Sequence, residues 1–169
     1  VYQVLKRDGV CYSKEEYVRK KYKESAKVFI NAYGWFVKEA QHIVPKPEGA
    51  EYPYWAFTDL YNVDQTGDGH VLTLDVPIGE AILFDMFDWT KIMQMHYIGE
   101  NESEEATFSE ELKNMGMNEF QIMTSNFYPE QKARIQESWK RLFGHQQAIE
   151  AGDNSGVHSV QAGLWCIKD

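Results

Sequence analysis

Seven side chains in three short stretches are of the types that hold a small molecule. They are Tyr52 and Trp55 in EYPYWAF, Asp85, Asp88 and Trp89 in ILFDMFDW, and Gln161 and Trp165 in VQAGLW. Indole and phenol rings offer faces on which a planar group stacks, while carboxylates and a carboxamide supply directional hydrogen bonds. Asp85 and Gln161 stand inside apolar runs, where an unpaired buried carboxylate or carboxamide costs several kcal/mol. Each must therefore bond a backbone group or face a polar cavity. The pattern predicts that the two come from neighbouring strands and share one cavity walled by Trp55 or Trp89. The competing reading is structural, because an aspartate before a helix commonly caps it and tryptophans commonly fill cores.

One further stretch carries chemical promise. DQTGDGHVLTLD, Asp64 to Asp75, matches most of an EF-hand loop, with Asp64, Thr66, Asp68 and Asp75 at ligand positions and Gly69 at the turn. Its flanks are wrong: Pro53 and a strand-like run precede it, and an alternating run ending at Pro77 follows. Asp64 to Gly69 therefore reads as a turn between two antiparallel strands that binds calcium at most weakly. His42, His70, His96, His145 and His158 show no ligand spacing, and the sequence has no Gly-rich phosphate loop, CxxC, HExxH or GxSxG. Neither a metal site nor a cofactor is expected.

Elements must position these groups. Ser13 and Glu16 make a capping-box pattern, and Val18, Tyr22, Ala26, Phe29, Ile30, Tyr33, Phe36, Val37 and Ala40 recur at helical spacing. One long helix over 14–42 follows, with Gly34 as its point of bending and VPKPEG as its end, since proline has no amide hydrogen. Tyr54 to Tyr61 and His70 to Val76 read as strands, and Ile82 to Phe84 as a buried strand running into a helix capped by Asp85 or Asp88. The acidic run Glu100 to Glu111 reads as a solvated loop. Tyr128 to Phe143 reads as a helix with Ile135, Trp139, Leu142 and Phe143 inward, and His145 to Gly156 as a polar connection. Val157 to Lys168 is apolar on both faces, which predicts a strand inside a sheet. The order predicts an α+β fold, a mostly antiparallel sheet with a long N-terminal helix and further helices packed on it. A chain of 169 residues suits one domain spanning 1–169.

Composition narrows the partners. A net charge of −9 opposes binding to a phosphate backbone, so nucleic acid is not an expected partner. No apolar run is long enough to cross a membrane, and no basic-then-apolar leader is present, which predicts a cytoplasmic protein with Cys11 and Cys166 as free thiols.

In EYPYWAF, LDVP with ILFDMFDW, SWKRLF and VQAGLWCIK the chain resembles an uncharacterised bacterial family known only as a domain of unknown function. Its members read roughly YPxWAW, LLSDFDxW, WxRIF and IQAxxWEI, in that order, over a span matching Val1 to Lys168. Members begin with a further short strand, so the resemblance implies a chain trimmed at its N-terminus. Two departures stand out: the aspartate after Asp85 is displaced to Asp88, and Cys166 replaces the glutamate expected after the last tryptophan. The family carries no activity to transfer. The residues favour a small-ligand site, nucleotide-like in character, with Tyr52, Trp55 or Trp89 stacking and Asp85 and Gln161 hydrogen-bonding. A catalytic version would be similar to a distant ADP-ribosyltransferase using NAD, although Ala162 and Gly163 stand where the glutamine-x-glutamate pair of such enzymes would continue. The alternative is a protein-interaction module whose acidic surface steers a basic partner.

Overall fold

A computed structural model describes residues 1–66 and 69–169. Strand β4 (Val160–Leu164) organises the fold, because all five of its residues are buried and it can only lie between two neighbours. Those neighbours are β2 (Tyr54–Phe57) and β3 (Ala81–Asp85), in the order β2-β4-β3, and both pair antiparallel to it. A second, two-stranded antiparallel sheet joins β1 (Val10–Cys11) to β5 (Ile167–Lys168). The antiparallel α+β architecture expected from the sequence is present.

Since β2 and β3 flank β4 on opposite sides, residues 58–80 form a crossing connection rather than a hairpin. The turn expected at Asp64 to Gly69 lies in that connection and does not join adjacent antiparallel strands; Gly67 and Asp68 fall outside the described residues. His70 to Val76 is likewise not a strand. Its alternation is real, but a strand needs a partner edge, and here only Leu74 and Val76 pack against the sheet.

The expected helix over 14–42 is two helices, α2 (Glu15–Tyr22) and α3 (Ala26–Ala40), preceded by the short α1 (Tyr2–Asp8). The break falls at Lys23, whose φ of 49° lies in the left-handed region, and not at Gly34. Tyr22 and Phe29 stack across it with ring centroids 3.6 Å apart. Ser13 does not cap α2: its carbonyl accepts from the Glu51 and Tyr52 amides, and the Glu51 carboxylate accepts from the Glu15 amide at 2.8 Å. A contact distant in sequence has displaced the local capping box.

Five later helices complete the chain, two of them where the sequence suggests loops. α4 (Met86–Met93) follows β3 without a loop. The acidic run is α5 (Glu102–Asn114), capped by Asn101, with Phe108 and Leu112 buried. Its early glutamates, taken for a solvated loop, complement the helix dipole. After α6 (Glu119–Thr124), α7 (Pro129–Ser138) continues into a 3₁₀ segment, Trp139–His145, that buries Trp139 and Leu142. The supposed polar connection after it contains α8 (Gln146–Glu150), with Gln146 and Ile149 buried.

The sheet separates two cores of different character. One face carries Ile82, Phe84, Trp55, Phe36, Trp89 and most of the remaining aromatic rings. The other carries Ala81, Leu83, Val160, Ala162, Leu164 and Ile149. Gly163 permits the aromatic face to close, since a Cβ there would sit 3.0 Å from the Phe36 ring.

Candidate functional site

On the aromatic face three of the seven candidate side chains meet around Tyr33. Its ring lies 5.5 Å from Tyr52, 5.2 Å from Trp55 and 6.0 Å from Trp89, and the two indoles are 4.5 Å apart. Trp89 is buried and Trp55 is half-buried. Burial, and then the nearby Tyr22, push the Tyr33 hydroxyl above the usual tyrosine range. Tyr52 is held in place, its hydroxyl donating to Glu15 Oε2 at 2.9 Å. Burial and that bond push it up to about 12. Trp165 lies apart: its indole N–H donates to the Val44 carbonyl at 2.7 Å, and it lines a cavity of about 330 Å³ with Tyr12, Pro45, Pro47 and Cys166.

The strand register separates the two residues expected to share a cavity. Gln161 pairs with Phe84 and Phe57, whereas Asp85 pairs with Val160. Successive positions on a strand face opposite ways, so Gln161 lies on the aromatic face and Asp85 on the aliphatic one. Their side chains leave the sheet on opposite faces, which corrects the expected arrangement.

Asp85 is a helix cap with every acceptor site in use. Oδ1 accepts from the Phe87 amide at 3.0 Å and the Ser159 amide at 3.4 Å, and Oδ2 accepts from the His158 amide at 3.0 Å and lies 2.9 Å from His158 Nδ1. Burial alone would raise this carboxyl, but the bonds from His158, Phe87 and Ser159 leave it below the usual aspartate range. Asp88, half-buried one helical turn on, moves the other way: burial and then the charge of Asp85 hold it above that range.

Gln161 is the converse. Its residue is 4% exposed, and among the described residues no donor reaches its Oε1. Beside it, at the start of β4, the Ser159 hydroxyl accepts from Asn62 Nδ2 at 2.7 Å.

Two residues with clear roles were not legible in the sequence. Gln146 sits on the open edge of β3, where its Oε1 accepts from the Leu83 amide at 2.6 Å and its Nε2 donates to the Ala81 carbonyl at 3.2 Å. A side-chain amide there stands in for a missing strand, and nothing in the spacing signals it. His158 lies 73 residues from Asp85, so sequence spacing cannot reveal their contact. Among the described residues no group of three or more potential ligands could hold a metal ion, and no helix is long and apolar enough to cross a membrane.

These features define an α+β fold with a three-stranded antiparallel sheet, one aromatic face, and a buried amide oxygen that no donor reaches among the described residues. The chain belongs to the family described as Domain of unknown function (DUF3841), whose model matches residues 1–169. No curated protein and no solved structure matches it.

Proposed function

We propose that this domain binds a small planar ligand bearing an N–H donor, nucleotide-like in that sense, on the aromatic face beside Gln161. The observation that carries this reading is the buried Gln161 Oε1, which has no donor among the described residues. A buried acceptor left unpaired costs about 1–3 kcal/mol, a cost that a ligand's N–H would remove on binding. Trp55 and Phe57, both half-buried on the neighbouring strand, are available for stacking, and Asn62 and Ser159 supply a polar rim. A thermal-shift screen of nucleobases, nucleosides and NAD tests it. A ligand at about a hundred times its dissociation constant adds roughly 2.7 kcal/mol of stability. The expected result is a stabilising compound whose effect disappears in Q161M; a set of compounds that stabilise Q161M equally well would overturn the reading.

A protein-interaction role draws on a separate observation. Leu60, Tyr61 and Phe87 are 58%, 90% and 51% exposed. The Asn62–Ser159 and Phe87–His158 contacts gather them at one end of the sheet.

A further inference from the structure

The Asp85 carboxylate already has three backbone N–H donors, so it does not need an imidazole to satisfy it. His158 is nevertheless held against it, with Nδ1 2.9 Å from Oδ2 and with the Phe87 ring tilted against the imidazole at 4.9 Å and 35°. An ionised carboxylate only accepts hydrogen bonds, so Nδ1 must carry the hydrogen. The Nε2 lone pair then points away from Asp85, on a side chain that is 74% exposed. A buried carboxylate fixing the tautomer and orientation of an imidazole whose other nitrogen faces outward is the arrangement that makes a histidine a general base.

We propose that His158, oriented by Asp85, is a general base that activates water for attack on an electrophilic carbonyl at the end of the sheet. This site lies on the aliphatic face and stands independently of the ligand reading at Gln161. In the step proposed, Nε2 takes a proton from water as the water oxygen bonds to the carbonyl carbon. The tetrahedral intermediate then collapses, its carbon–oxygen bond to the leaving group breaks, and the imidazolium returns its proton to that oxygen. Acid and alcohol are the products, and no oxidant or metal is consumed. Exposed Phe87, whose ring lies against His158, offers apolar surface for an acyl or aryl group beside the base.

The probe is 4-nitrophenyl acetate, with release of nitrophenol followed by absorbance on the full chain. Relative to the parent, H158Q is expected to lose roughly a hundredfold of the rate, the low end of what general-base catalysis supplies. D85N, which keeps the shape but not the charge, is expected to lose rate as well. H42Q, which alters an exposed imidazole elsewhere, is expected to retain it. Because His158 is exposed, H158Q is expected to fold, and an unchanged melting temperature verifies that. A folded H158Q with the parent's rate, or a loss of rate in H42Q equal to that in H158Q, would overturn the proposal.

Discussion

The two faces of β4 treat a polar residue in opposite ways. On the aliphatic face Asp85 is surrounded by donors, three from the backbone and one from an imidazole. On the aromatic face Gln161, one register position away, keeps a buried oxygen with no donor among the described residues. The difference lies in what each face offers. At the end of β3 the chain turns directly into a helix, whose first amides have no partners of their own and converge on a cap. On the aromatic face the register partners of Gln161 are Phe57 and Phe84, whose rings carry no hydrogen-bonding groups. A polar residue is tied into the fold where free backbone donors are abundant and is left without them where its neighbours are rings.

The largest expected effect tests whether the aromatic face is the rigid one. Phe36 is fully buried against Trp55, Phe84 and Trp89. F36A is expected to cost about 3–5 kcal/mol in denaturant unfolding. Overpacking the same contact by G163A should cost about 1–3 kcal/mol alone. In the F36A background that cost should shrink or change sign, since the added methyl then enters the vacated space. Additive effects would show that Gly163 and Phe36 do not constrain one another.

D85N sharpens the comparison from the aliphatic side, with an expected loss of about 1–3 kcal/mol. The amide still accepts at one oxygen, but its NH₂ then faces N–H donors. The pH dependence follows from the sign of the shift. A carboxyl held below its unfolded value stabilises the fold above that value, about 3.9, and the contribution is lost as pH falls through the folded one. Acid unfolding of the parent should therefore steepen below about pH 4, and D85N should flatten that limb. An unchanged acid limb would mean that the charge on Asp85 contributes little.

How far these contrasts were legible depends on whether the partner was local. A cap at Asp85 or Asp88 and a sheet-interior strand over Val157 to Lys168 follow from patterns read over a few residues; Asp85 is the cap, and within that run only Val160–Leu164 lies between two strands, while Ile167–Lys168 pairs with β1 in the second sheet. Where a distant group intervenes, local patterns mislead. Glu51 replaces Ser13 at the start of α2, and His70 to Val76 alternates without finding a strand to pair with. The acidic run misled for a different reason. Its apolar residues, Phe108 and Leu112, are few, but four apart they make a sufficient buried stripe. The pairing of Asp85 with Gln161 failed by a single step of register, because side-chain facing reverses at every residue along a strand. Which polar group meets which donor is decided by that parity, and parity is fixed only when the strands are paired.

The smallest expected effect is also the most discriminating for Gln161. Q161M keeps a similar volume and removes both the amide and its unpaired oxygen. If that oxygen contributes nothing to the fold, the substitution replaces a desolvated acceptor by an apolar group and is expected to be near neutral, or to stabilise by a few tenths of a kcal/mol. The sign is opposite to that expected for D85N, although both residues are buried and lie on neighbouring strands. Chemical unfolding of the two variants side by side measures it. A loss in Q161M as large as that in D85N would mean that the amide has a donor in solution and that the two faces do not differ. A neutral Q161M that no longer responds to a ligand stabilising the parent would instead place the value of Gln161 in binding, because the fold would then be indifferent to the group that the ligand requires.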